Sequence, residues 1–179
     1  SRVLYIEQDD FRETPPPKYW RLSPGNEVRL RYAYFVKCTG SVKDPQTGAI
    51  TEVHCTYDRA TRGGDSPDGR KVKSTLHWVS AAQAIPAEVR LYSHLFSNPD
   101  PDDVGGAGVP PASVAADWKA NLNPNSLETV MAHVEPSVAD APIGARYQFE
   151  RHGYFCVDPE SGAAAAGLGP GRRLIFNRT

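Results

Sequence analysis

The sequence predicts an all-β protein, and three observations carry that prediction. Sixteen prolines and fifteen glycines are spread along its 179 residues, which argues against long helices and for many short strands joined by turns. Apolar and polar residues alternate in several windows, the period-2 signature of a strand with one buried face. Between those windows lie compact turn sequences, among them Leu22-Ser23-Pro24-Gly25-Asn26 and Asp44-Pro45-Gln46-Thr47-Gly48.

Taken in order, Val3–Ile6 reads as a short strand, followed by the polar Gln8–Glu13. Pro15-Pro16-Pro17 holds the backbone extended and delivers Lys18–Arg21 in a fixed direction. Glu27–Thr39 is expected to be one strand, with Val28, Leu30, Tyr32, Tyr34 and Val36 on one side and Arg29, Arg31, Ala33 and Lys37 on the other. On that reading Arg29 and Arg31 leave the same face roughly 7 Å apart. Two guanidiniums so placed, with Tyr19 and Trp20 upstream, suit a single-stranded RNA with splayed bases. The pattern suits equally a solvated edge strand that carries charge against aggregation.

Asp44–Gly48 reverses the chain into Ile50–Tyr57, a hairpin that could bring Cys38 near Cys55. Asp58–Gly69 is a loop, and its Asp65–Gly69 portion lacks the later glutamate of a calcium loop. Arg70–Val79 alternates again, with Val72, Ser74, Leu76 and Trp78 inward and Lys71, Lys73, Thr75 and His77 outward. Ser80–Ala84 is expected as a short cap, and Val89–Phe96 as the closing strand of a first compact unit. Asn98–Pro111 has a linker's composition. Ser113–Ala120 reads as a short helix with Ser113 as N-cap and Trp118 packed inward. Strands follow at Glu128–Val134, Ala145–Glu150, Tyr154–Asp158 and Leu174–Asn177, with an Ala/Gly surface loop expected at Ser161–Gly171.

Charge and cysteine usage narrow the function. The net charge is −1, yet residues 100–140 hold seven acids and one base, Lys119, whereas Lys18–Lys37 and Arg59–Lys73 are basic. A polyanion would meet the basic stretches and avoid the acidic one. No apolar run reaches membrane-spanning length, so no membrane partner is expected, and Ser1–Glu7 does not read as a signal peptide. Cys38, Cys55 and Cys156, odd in number and widely spaced, predict buried reduced thiols in a cytoplasmic protein.

Enzymatic signatures are scarce. The five histidines show no metal-ligand spacing, and Cys-x-x-Cys, phosphate-loop and nucleophile-elbow motifs do not occur. Gly167–Gly171 resembles a dinucleotide loop only superficially, because a strand is expected where the helix should start. No catalytic residue and no metal site is assigned. Tyr147–Cys156 offers something different: a hairpin turning at Gly153, with Gln148 able to donate to and accept from a base edge and Arg151 at the turn. The same residues could be ordinary hairpin decoration.

A resemblance then becomes visible. Tyr5-Ile6-Glu7, Asp10-Phe11-Arg12-Glu13, and Gly25-x-Glu27-Val28-Arg29-Leu30-Arg31-x-Ala33-Tyr34 resemble the C-terminal anticodon-binding part of bacterial glutaminyl-tRNA synthetases. So do Cys55–Asp58, Asp68–Lys73, His77–Ala82, Glu88–Tyr92, Gln148–Cys156 and the terminal Phe176–Thr179, in register over nearly the whole chain.

The resemblance implies two antiparallel β-barrels that grip the anticodon loop, the distal one complete and the proximal one partial. Residues 1–8 would lead out of the proximal barrel, 9–97 form the distal barrel, 98–120 link, and 121–179 return to the proximal barrel. The family's anticodon-contacting positions fall on Lys18, Arg21, Arg29, Arg31, Gln148 and Arg151, with the middle base read near Gln148 between the barrels. Lys18 stands where the family often has glutamine, and Trp20 where it often has lysine. The expected partners are the anticodon loop of tRNA(Gln) and an N-terminal catalytic domain of the same polypeptide. ATP and Mg would belong to that domain, whose signatures do not occur here; this chain alone is expected to be an inactive monomer. Three other readings stay open: an archaeal or eukaryotic-type glutamyl-tRNA synthetase domain, a ribosomal-RNA-binding β-barrel without a ligase, and a plain structural β-domain.

Overall fold

The structure is a computed structural model that describes residues 2–101, 118–162 and 172–179. Most of the expected linker, the Ser113 N-cap and most of the Ser161–Gly171 loop lie outside the described residues. The described strands are β1 (Leu4–Tyr5), β2 (Glu27–Leu30), β3 (Phe35–Lys43), β4 (Ile50–Asp58), β5 (Thr75–Leu76), β6 (Val79–Ser80), β7 (Ile85–Tyr92), β8 (Leu127–Val134), β9 (Arg146–Phe149), β10 (Gly153–Val157) and β11 (Ile175–Arg178). Helical residues among those described are confined to short 3-10 turns such as Gln8–Asp10 and Trp118–Asn121. None is long and apolar enough to cross a membrane. The all-β expectation holds, and the chain divides into two compact units, Ser1–Gln83 and Ala84–Thr179.

In the first unit, β4-β3-β2-β5 form one sheet and β1-β6 a small second one. The β3–β4 hairpin is made where turn chemistry placed it. The Asp44 carboxylate accepts from the Gln46 and Thr47 amides, each at 2.8 Å, which satisfies the loop's donors locally. Its register sets Cys38 directly across from Cys55, next to a bulge. Both are free thiols, but only Cys38 is buried; Cys55 lies on the exposed side, contrary to the expectation of buried cysteines. Close packing of the sulfur and then the neighbouring Cys38 thiol push the Cys55 pKa up to about 11. The core beneath is apolar, with Val28, Leu76 and Leu22 sealed from water and Trp78 packed against them.

Two strand expectations need correction here. Glu27–Thr39 is two antiparallel strands, not one, because Tyr32 adopts the left-handed region (φ 57°) and turns the chain. Alternation reports which side chains are buried, and Val28, Leu30 and Val36 are buried as expected. It does not report a reversal whose hydrogen bonds, from the Ala33 amide to Leu30 at 2.8 Å and from the Leu30 amide to Tyr34 at 2.9 Å, are made by backbone. Tyr32, assigned inward, is instead 84% exposed at the tip. Arg70–Val79 likewise yields only the two-residue strands β5 and β6.

The second unit is a five-stranded sheet in the order β8-β7-β11-β10-β9. All pairs are antiparallel except β7–β11. This revises the organisation expected from the sequence. The segment read as closing the first unit contributes β7 to the second, between β8 and β11, and the division falls after Gln83 rather than near Ser97. Local patterning cannot choose a strand's long-range partner; the alternate burial of Ala87 and Val89 against the Phe155–Phe176 core does. Phe149 seats the aromatic centre, 4.7 Å from the Phe155 ring and 5.1 Å from Phe176. Trp118, expected inward, is 44% exposed and meets Phe96 edge-on.

Charged residues lock this sheet as well. Arg90 pairs with Glu88 (2.9 Å), Asp158 (3.4 Å) and Glu160, while Arg173 pairs with Glu88 at 2.6 Å. The Arg173 hydrogen bond, then Arg90, holds the Glu88 carboxyl below its ordinary range. Burial pushes Asp158 the other way, but the Glu160 amide, the Asn177 amide and Arg90 outweigh it, so Asp158 too is lowered.

Candidate nucleic-acid interface

A concave surface lies in the first unit. A cleft of about 570 Å³ is lined by Asp9, Arg12, Pro16, Lys18, Tyr19, Trp20, Arg21, Lys73 and Ser74. It is built on a scaffold of anchored residues. The Tyr19 amide donates to Pro16 O at 3.2 Å, closing a turn that puts Lys18 in the left-handed region at φ 65°. The Tyr19 hydroxyl donates to Asp9 O at 2.9 Å, and burial pushes its phenol pKa up. Arg21 donates to the same carbonyl at 3.2 Å and pairs with Asp10, fully buried, also at 3.2 Å. Leu22, buried, ties the segment down by donating from its amide to Asp10 O at 3.0 Å. Trp20 and Lys18 are left on the surface between these anchors, and Lys73 reaches over the Trp20 ring with Nζ 3.5 Å from its centroid. Four cations and two aromatic rings therefore line a cleft with one acid, Asp9. Such a surface attracts phosphate and offers π-faces to bases.

The other basic candidates of this unit have different surroundings. Arg29 lies half-buried over the Phe35 ring, 4.4 Å from its centroid. It donates to Ala33 O at 3.3 Å and to Gly64 O. Two of its five N–H donors thus hold the β2–β3 turn and the loop near Gly64. The same-face spacing of Arg29 and Arg31 does not occur, because Arg31 has entered the turn. Arg31 stacks on Tyr32, 5.0 Å from its centroid, and its backbone carbonyl accepts from the Trp78 indole at 3.0 Å. Lys18 and Arg21 are brought together in the cleft, while Arg29 and Arg31 belong to the neighbouring turn region of the same unit.

In the second unit Gln148 is exposed on β9, directly across from Tyr154, which is 62% exposed on β10. The pair presents an amide beside an aromatic face. Arg151 sits in the turn at φ 69°, and Gly153 opens β10 at φ 120°, a conformation that disfavours any side chain. The three described non-glycine residues at positive φ are Lys18, Tyr32 and Arg151. Two are candidate contacts and the third follows Arg31, in keeping with the tendency of backbone strain to collect at functional sites. Sequence reasoning passed over Arg12, Tyr32 and Tyr154 as site residues; for Tyr154 the signal was available, since the hairpin register sets it opposite Gln148. Alternation places Lys73 outward but carries no sign of its aromatic partner, Trp20. Among the described residues there is no group of three or more His, Cys, Asp or Glu able to hold a metal ion.

Comparison with known proteins gives this geometry a context. Residues 1–58 and 75–158 match two models that both describe the anti-codon binding domain of class I tRNA synthetases (E and Q). The glutamine–tRNA ligase of Nitrobacter hamburgensis is 55% identical over 179 residues, covering 100% of this chain and 28% of the relative. That of Bradyrhizobium diazoefficiens is 54% identical over 180 residues, with the same coverage of 100% and 28%. The Clostridium kluyveri ligase is 46% identical over 178 residues, 99% of this chain and 29% of the relative. The chain therefore spans less than a third of the length of the relatives it matches. Matched in both of its units and along its whole length by relatives with one common name, the chain belongs to the anticodon-binding domain family of the class I tRNA synthetases for glutamate and glutamine.

Proposed function

We propose that this chain is the anticodon-recognition module of a cytoplasmic glutamine–tRNA ligase, and that it holds the anticodon loop of tRNA(Gln) while another part of the same polypeptide joins glutamine to the tRNA with ATP and Mg. The observation that carries the reading is the cleft in which Arg12, Lys18, Arg21 and Lys73 surround Tyr19 and Trp20. In this account the cations fix the phosphates, and the exposed side chains meet unstacked bases. Gln148 and Arg151 of the second unit contact the anticodon as well, Gln148 by pairing its amide with one base edge. The two units take the place of the family's two anticodon-gripping barrels. No residue of this chain is assigned to amino-acid activation.

The test is equilibrium binding of the chain to tRNA(Gln), to its anticodon variants and to tRNA(Glu) over a series of salt concentrations. Preference for the glutamine anticodon with a negative log–log salt slope is expected. Preference for tRNA(Glu) would move the assignment to a glutamyl enzyme, and no binding at low salt would remove the reading altogether.

A further inference from the structure

Resting on the anticodon-binding reading, we infer that Trp20 is a stacking platform for one unpaired base of the bound RNA and that Lys73, with Lys18, receives the phosphate of that nucleotide. Trp20 is 50% exposed although it is flanked by Tyr19, tied by its hydroxyl to Asp9, and by Arg21, tied to Asp9 and Asp10. An indole left half in water on so firmly anchored a segment presents a fixed π-face. The Lys73 ammonium lies over one face of this ring, 3.5 Å from its centroid, and in the bound state it swings to the phosphate and yields that face to the base. The surrounding cleft, about 570 Å³, falls within the size range of small-molecule sites, so it can admit a base with its ribose and phosphate. Its cations outnumber Asp9, which favours an anionic nucleotide over a cationic or neutral peptide group. Stacking is tolerant of base identity, so Trp20 contributes affinity and placement, while hydrogen-bonding neighbours supply selectivity.

The test measures binding of this chain and its variants to the tRNA(Gln) anticodon stem-loop and to a set of the same stem-loops each carrying one abasic loop position. Trp20→Ala is expected to weaken the intact stem-loop by about 5- to 150-fold, the range for loss of one stacked base. Trp20→Phe should recover most of that loss, and Lys73→Met should flatten the salt slope. One abasic stem-loop should bind wild type and Trp20→Ala alike, because the base that stacks on Trp20 is already gone. If Trp20→Ala binds the intact stem-loop as wild type does, or loses the same factor on every abasic stem-loop, the platform does not exist and Trp20 is at most a support of the cleft. Thermal denaturation of Trp20→Ala identifies a general folding loss, which would also overturn the assignment if it accounted for the whole effect. A wild-type chain that fails to bind the stem-loop sinks the anticodon reading itself; one that binds with Trp20 irrelevant sinks only the inference.

Discussion

Two basic segments of the first unit, Lys18–Arg21 and Arg29–Tyr32, have similar composition and opposite surroundings. In the first, the chain's own acids and carbonyls fasten Tyr19 and Arg21, and Lys18 and Trp20 stand at the mouth of a cleft. In the second, Arg29 lies over Phe35 and caps backbone carbonyls, and Arg31 lies over Tyr32. The difference teaches that a guanidinium on a strand is not by itself a nucleic-acid contact. Its donors must be counted first: Arg29 uses two of its five on carbonyls of the turn region, as Arg21 uses its own on Asp9 and Asp10. Arg70 is an extreme of the same kind: it pairs with Glu27, Asp58 and Asp68 and lies near the same Phe35 ring, 5.5 Å from its centroid.

This contrast can be broken by substitution. The largest effect is expected for Arg29→Ala, which removes two hydrogen bonds from a cation to carbonyls and uncovers Phe35. A loss of about 1–3 kcal/mol in urea denaturation is expected, with RNA affinity falling only as far as the folded population falls. Unchanged stability with lost affinity would return Arg29 to the interface. Next comes Gln148→Ala in the second unit, where one bidentate base contact discriminates by ~1–3 kcal/mol. It should weaken glutamine tRNA more than tRNAs that differ at the middle anticodon base. An equal loss on all anticodons would assign Gln148 to general binding.

Lys18→Ala should be smaller and of another kind. Being exposed, it should leave stability within about 0.5 kcal/mol and reduce the salt slope by ~0.7 per phosphate lost. An unaltered slope would make Lys18 a bystander. The last test is acid titration, which probes the locked arginines rather than the cleft. Glu88 and Asp158 have lowered pKa values in the folded state, from ordinary values of 4.5 and 3.8. Their stabilisation is therefore full above the unfolded values and is lost as pH falls through the folded ones. Denaturation midpoints of the second unit should be flat from neutrality to about pH 5 and decline below about pH 4. Glu88→Gln should shrink that decline, and an identical decline in the variant would remove Glu88 from the account.

Much was legible beforehand because its causes are local. Asp44–Gly48 carries the donors and acceptors of its own turn, so the β3–β4 hairpin and the opposition of Cys38 and Cys55 followed from spacing. Gly153 similarly marked the β9–β10 reversal and placed Gln148 on the first strand of that hairpin. The alternation over Val28–Val36 correctly named Val28, Leu30 and Val36 as buried, and failed at Tyr32, where the chain reverses. Sequence motifs were also sufficient for the family, since they run through both units.

By itself, then, the sequence determined the all-β class, the hairpins with self-contained turns, the buried faces and the anticodon-binding resemblance. Tertiary structure decided which groups surround each basic residue. The reversal at Tyr32 rests on a positive φ that tyrosine seldom adopts, so no residue preference announced it. The parallel pairing of β7 with β11 joins segments far apart in sequence, and only packing of the shared core selects it. Lys73 meets Trp20, and Arg29 meets Gly64 O, for the same reason. Side-chain type follows from the residue alone, but the partner that satisfies it depends on where the folded backbone brings another group within reach.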